Sequence, residues 1–162
     1  MSRTFAIAFA AGIAVVLITI AGVLFMQRGA RVGLTGQFLK VRTAALDENS
    51  TVVVIDFRVN NPSDVLFVVR MASCFMEEND GKQYEGKVAA EMDAQRLFEG
   101  LPILGQKFNQ TLMTKEPIGP RSTADRMVAV RFEAPESRVL ARKRFLLRIG
   151  DMSGPVSEIS EK

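Results

Sequence analysis

The stretch from Phe5 to Met26 runs for 22 residues without one charged side chain, between Arg3 and Arg28. As a helix rising about 1.5 Å per residue it would extend about 33 Å, enough to cross a ~30 Å hydrocarbon core. Within it only Thr19 carries a polar side chain, and that hydroxyl can bond back to a carbonyl of its own helix. A cleaved signal peptide has a shorter apolar core, about 7–15 residues, followed by small residues at the cleavage site. This run is longer and leaves through Leu24-Phe25-Met26-Gln27-Arg28, bulky and then basic. It predicts an uncleaved single-pass anchor over residues 1–27. Ala6, Ala10, Ala14, Gly12 and Gly22 would let a second helix approach closely, and they also match the ordinary composition of a membrane helix.

Orientation has two readings. Arg28, Arg31, Lys40 and Arg42 follow the run and only Arg3 precedes it, which by the positive-inside rule puts the following domain in the cytoplasm. The very short N-terminal tail argues for a signal-anchor that sends the domain out. The expectation is a cell-membrane protein with its domain on the outer, periplasmic side.

The rest of the chain, about 135 residues, suits one domain with a real core. Cys74 is the one cysteine, so there is neither an intrachain disulfide nor a cysteine metal cluster. There is no His, which removes the commonest general base and metal ligand. The net charge of +3 supports mild attraction to anionic lipid at most.

Residues 28–36 hold Gly29, Gly33 and Gly36 among basic residues and read as a tether. A domain over residues 37–150 follows, then a flexible tail over residues 151–162. The strongest strand signal is Thr51 to Asn60. Val53, Ile55, Phe57 and Val59 share one face while Asp56, Arg58 and Asn60 share the other. Pro62 ends it. Val65 to Glu77 predicts a second long strand with Val65, Phe67, Val69, Met71 and Phe75 inward. Glu78-Asn79-Asp80-Gly81-Lys82 predicts a hairpin turn before a returning strand over Gln83 to Val88. Ala89 to Met113 reads as a short helix or irregular crossover. Val128, Val130 and Phe132 point inward from a later strand, and Phe145, Leu147 and Ile149 mark a last one. The pattern as a whole is mainly β and favours an antiparallel sandwich.

The sequence Ile55-Asp56-Phe57-Arg58-Val59-Asn60-Asn61-Pro62, behind an N-terminal apolar helix and ahead of a long apolar strand, carries a resemblance. With Pro120-Arg121-Ser122-Thr123 it resembles the late embryogenesis abundant proteins that hold the water-stress-and-hypersensitivity domain. The likeness covers residues 36 to 150, and Ala89 to Met113 departs from it. It implies an Ig/fibronectin-like β-sandwich, protective or binding roles, and no catalytic residues to carry over.

Among candidate sites, Arg138, Arg142, Lys143, Arg144 and Arg148 form a basic cluster, a possible surface for anionic lipid or an acidic partner and otherwise a solvated face. Few aromatics lie near it in the sequence and the chain reads as membrane-tethered, so nucleic acid is the less favoured partner. Glu77, Glu78, Asp80 and Glu85 gather near the hairpin without the spacing of a calcium loop. Met71, Cys74 and Met76 are soft ligands, but strand alternation separates Met71 from the other two. The apolar residues of the crossover would cap the open end of the sandwich or, if exposed, make a docking surface. No nucleophile–base pair or phosphate loop is visible. The expectation is a non-enzymatic, cofactor-free accessory, assembly or interaction subunit with a membrane-protein or envelope partner. The alternatives are a lipid or hydrophobic-ligand carrier, with its cleft between the sheets or under the crossover, and a stress-protective protein.

Overall fold

The computed structural model describes residue 9, residues 12–22 and residues 33–161. The chain divides into two compact units, Met1–Arg31 and Val32–Lys162. In the first unit residues 12–22 are helical (α1). Thr19 donates its hydroxyl to the Val15 carbonyl at 2.9 Å, so its one polar group is satisfied within the helix. Most of the remaining residues of the apolar run, and the proposed tether up to residue 32, lie outside the described residues. Among those described, no helix is long and apolar enough to cross a membrane.

The second unit is built from β1 Thr35–Asp47, β2 Ser50–Asn60, β3 Phe67–Glu77, β4 Gln83–Val88, α2 Glu91–Gly100, a 3-10 turn Pro102–Leu104, β5 Gln110–Thr111, β6 Pro117–Ile118, β7 Thr123–Phe132, α3 Glu136–Leu140, β8 Arg144–Asp151 and β9 Val156–Ser160. Neighbouring strands follow the order β1-β2-β7-β4-β3-β8-β9, with β5 on β7 and β6 on β3. Every pairing is antiparallel except β5 with β7. Val53, Ile55 and Phe57 of β2 and Val128 and Val130 of β7 share one core with Cys74 and Met76 of β3, Leu147 and Ile149 of β8, and Ile159 of β9. The rings of Phe132 and Phe145 stack across it, 5.5 Å apart. The result is two antiparallel layers face to face, a β-sandwich.

β4 joins the layers. Its first residues pair with β3, then Lys87 and Val88 pair with Arg131 and Val130 of β7. The change of sheet passes over the core at Gly86, where an added Cβ would lie 2.4 Å from Val130 Cγ1 and 2.8 Å from the Phe132 ring. Only glycine fits that approach.

Two bulges set the side-chain phase, and the one in β3 departs from the expected alternation. In β3 the partners of β8 slip between Val69 and Met71. An extra residue moves every later side chain to the other face. Phe67 and Val69 point inward as expected, but beyond the slip Cys74 and Met76 fill the core, whereas Met71 is exposed and Phe75 only half-buried. Val65, expected inside, precedes the strand and is exposed. In β1 a slip between Phe38 and Lys40 lets Phe38 and Val41 both pack on the core.

The domain also extends further at both ends than the alternation implied. Leu34 is buried and its N–H donates to the Ser157 hydroxyl at 2.7 Å. The expected tail is in part an edge strand, β9, with Ser157 and Ile159 buried. Strand register then defines two ends. At the root, where the chain enters β1, lie Thr35, Asn60, Thr123, Phe67, Asp151 and Val156; at the tip lie Asp47, Ser50, Phe132, Glu77 and Arg144.

Candidate functional site

β2 is buried on both faces along most of its length. Its Val52 and Val54 side chains point away from the inter-sheet core and form a second cluster with Ala44, Met127, Ala129, Ala94 and Leu104, onto which Leu97, Phe98 and Leu101 pack. The crossover therefore roofs the outer face of the β1-β2-β7 sheet; it does not cap the open end of the sandwich. Ala94 is the buried residue of α2, while Met92 and Ile103 stay exposed.

A buried polar group fastens this roof. Asp56 and Arg42 form an ion pair at 2.6 Å with side chains 3% and 10% exposed. Asn109 donates to the other Asp56 oxygen at 2.8 Å. One Arg42 nitrogen donates to the carbonyls of Leu104 and Gln106, at 2.6 and 2.8 Å. The guanidinium lies between the Phe98 and Phe108 rings, 5.2 Å from each centroid. Arg42 is thus the clamp between sheet and crossover.

Where α2 meets the tip-side ends of the strands, a cleft of about 580 Å³ opens. Its walls are Leu46, Val52, Ala89, Leu97 and Leu101, and Asp93, Arg96 and Arg131 stand around it. Both guanidiniums are loosely held, at 3.7 Å from Asp93 and 3.9 Å from Asp47. Apolar walls with a few polar groups are what an apolar ligand with a polar end requires.

The five basic residues singled out in the sequence divide between the tip and mid-sheet, and each meets a carboxylate. Arg138 pairs with Glu78 and lies over the Tyr84 ring. Arg142 is bidentate to Glu161 and covers Phe145. Lys143 and Arg144 both reach Glu77, at 2.8 and 2.9 Å. Arg148 pairs with Glu158 and covers Phe75. The fold spends this positive charge on its own acids, which leaves little of it to draw an anionic surface. The acidic group is absorbed in the same way, with Asp80 on Lys82 and Glu85 the member without an ion pair among the described residues. Met71 is 47% exposed while Cys74 and Met76 are buried, so the three soft ligands do not converge. Burial pushes the Cys74 thiol upward, away from reactivity.

Two carboxylates give the domain an acid-side dependence. Hydrogen bonds from Lys143 and Arg144 hold Glu77 below its ordinary 4.5. Burial acts to raise Asp151, but the Ser153 hydroxyl and the N–H groups of Ser153, Val68 and Met152 outweigh it and hold the carboxyl below 3.8. Both folded-state values lie beneath the unfolded ones. Their contribution is therefore fully present above about pH 5 and disappears as pH falls through the folded values. The denaturant midpoint is expected to be level between about pH 7 and 5 and to drop below about pH 4. Glu77→Gln and Asp151→Asn should each flatten part of that drop, and a profile unchanged in both would refute the assignment.

At the root, Asn61 is fully buried. Its amide nitrogen lies within hydrogen-bond distance of the carbonyls of Val65, Ile118 and Gly119, at 2.8, 3.2 and 3.0 Å. Its side-chain oxygen accepts from the N–H and hydroxyl of Ser63, at 3.1 and 2.7 Å. Its own N–H donates to Ser122 and Arg121 N–H donates to Ser63; Arg121 also pairs with Asp64. The Asn-Pro and Pro-Arg-Ser-Thr segments, separated by about sixty residues in the sequence, are here one knot. The sequence signalled both turns but not that they meet.

The strand pairings and shared core establish the architecture. The chain is a β-sandwich protein. No family model matches it, and no curated protein matches it. Among solved structures, an uncharacterized β-sandwich protein from Clostridium difficile 630 is similar over 80% of this chain and 86% of its own, with 11% sequence identity and a TM-score of 0.41.

Proposed function

We propose that the chain is a non-enzymatic, single-pass membrane protein that presents an Ig/fibronectin-like β-sandwich at the outer surface of the cell membrane, as an accessory, assembly or interaction subunit. The observation that carries this reading is the uncharged run Phe5 to Met26 between Arg3 and Arg28. The helical state of residues 12–22 and the internally bonded Thr19 support it. The sandwich type is supported by strand order. β1, β2 and β7 lie on one side and β3, β8 and β9 on the other, as strands A-B-E and C-F-G do in immunoglobulin-type sandwiches. The knot between the Asn61 and Ser122 segments supports the likeness to the water-stress-and-hypersensitivity domain, because both of its motifs take part.

Alkaline carbonate washing of native membranes is expected to leave the chain in the membrane fraction, and its release would refute the anchor. Protease added from outside should cut the domain without permeabilisation if it faces outward, and cutting that requires permeabilisation would refute that orientation. Crosslinking before solubilisation should recover a second protein; a chain that runs alone in every native extract would refute the subunit role.

The cleft beneath α2 favours a second reading, a carrier of apolar ligand. Val53, Ile55, Phe57, Phe67 and Val69 fill the space between the sheets at no more than 1% exposure, so the ligand would sit under the roof. Native mass spectrometry of the full chain in detergent would then show bound lipid that Leu97→Asp removes.

A further inference from the structure

Four large apolar side chains are exposed on the root of the sandwich. Val65 and Leu66 stand on the β2–β3 loop, Met152 on the β8–β9 loop and Val156 at the start of β9, at 47–57% exposure. Hydrogen bonds bring these loops together. Met152 N–H donates to Val68 O and Val68 N–H donates to the Asp151 carboxylate, so the β8–β9 loop lies against the start of β3. Leu34 N–H donates to Ser157, which puts Val156 beside the point where the chain enters the domain.

The charge at this end differs from that at the tip. Arg70 and Lys115 make no ion pair among the described residues, whereas all four of the clustered cations at the tip, Arg138, Arg142, Lys143 and Arg144, do. Arg70 follows Val69, the residue paired with Asp151, and Lys115 N–H donates to Val69 O, so both stand just behind the loops.

We propose that the root loops carrying Val65, Leu66, Met152 and Val156 insert into the head-group region of the bilayer, with Arg70 and Lys115 facing anionic lipid. The domain is then held on the membrane by a second contact besides its anchor. This rests on the reading of residues 5–26 as a membrane span. Residues 27–33 are the seven that separate that run from the buried Leu34 of the sandwich, and fully extended they reach at most about 25 Å. The tether therefore keeps the root near lipid, where weak apolar insertion and a few cations suffice because the effective concentration is high. Solvent exposure of four large apolar side chains on neighbouring loops is otherwise uncompensated.

The chain has no Trp, so a single introduced Trp reports its own surroundings. Full-length Leu66→Trp, Met152→Trp and, at the tip, Glu48→Trp would be placed in phosphatidylcholine–phosphatidylglycerol nanodiscs with plain or brominated acyl chains. Circular dichroism would verify that each variant is folded. Leu66→Trp and Met152→Trp are expected to lose about half of their emission in brominated discs, and Glu48→Trp almost none. Equal, weak quenching at all three sites in protein that stays with the discs through an alkaline wash would overturn the lipid seat and leave the anchor standing. Protein that washes off the discs would overturn both.

Discussion

Replacing Asn61 by Ala is expected to lower the unfolding free energy by about 2–4 kcal/mol and the thermal midpoint by roughly 10 °C. The side chain is fully buried and uses both ends. Its nitrogen serves carbonyls on two separate loops, and its oxygen turns back onto Ser63. Alanine removes all of these at once. Part of the loss is compensated locally, because Ser122 still donates to Gly119 O and Ser63 still donates to Val65 O. Ile118 O loses this donor in a buried setting, which is the costly case. Asn61→Asp should be worse than Ala, because it keeps the acceptors but faces three carbonyl oxygens with a carboxylate. Equilibrium denaturation of the full chain in detergent, followed by circular dichroism, measures both. A loss under about 1 kcal/mol for Ala, or Asp milder than Ala, would show that the knot contributes little.

That knot also marks the limit of what could be read from the residues. Period-two alternation located β2 and β7 and the inward set Val53, Ile55, Phe57, Val128 and Val130, because one parity is uninterrupted along β2 and from Val128 to Phe132 in β7. β3 is apolar on both parities, Val68, Val69, Met71, Ala72, Cys74, Phe75 and Met76. Such a strand gives no sign of where an extra residue slips the phase, and half of its expected inward residues were exchanged for their neighbours. β9 offers one large inward residue, Ile159, and its Ser157 is buried to accept a hydrogen bond from Leu34, so alternation of hydrophobicity hardly registers. The roof was hidden differently. The Val52 and Val54 face of β2 looked solvent-facing because Asp56, Arg58 and Asn60 follow on it, yet Asp56 is 2% exposed beneath the crossover.

The basic cluster shows the same limit for charge. Along the chain Arg138 to Arg148 is a run of positive residues, but their acids lie far away in sequence, Glu77 and Glu78 on and after β3 and Glu158 and Glu161 on and after β9. Only strand order brings them together. The root patch was equally invisible, since the segments that carry Leu66 and Met152 come together only through the pairing of β3 with β8.

Asp56→Ala is expected to cost about 3–5 kcal/mol, because it leaves the Arg42 guanidinium buried without its counter-charge. Arg42 already has one N–H, at Nε, without a partner among the described residues. Losing Asp56 would orphan a second nitrogen and the Asn109 amide as well. Arg42→Met should cost a similar amount, since it strands Asp56 and also frees Leu104 O and Gln106 O. The informative variant is the double, Arg42→Met with Asp56→Leu. Replacing a buried pair by apolar residues of similar size is often close to neutral, so the double is expected to be more stable than either single by about 2 kcal/mol or more. Its effect should be local. Met cannot hold the 3-10 turn and residues 106–109 by hydrogen bonds, so amide exchange should rise there while β2 and β7 stay protected. If the singles instead add to give the double, the ion pair is not what fastens the roof, and packing of Ala94, Leu97 and Leu104 on Val52 and Val54 must carry it.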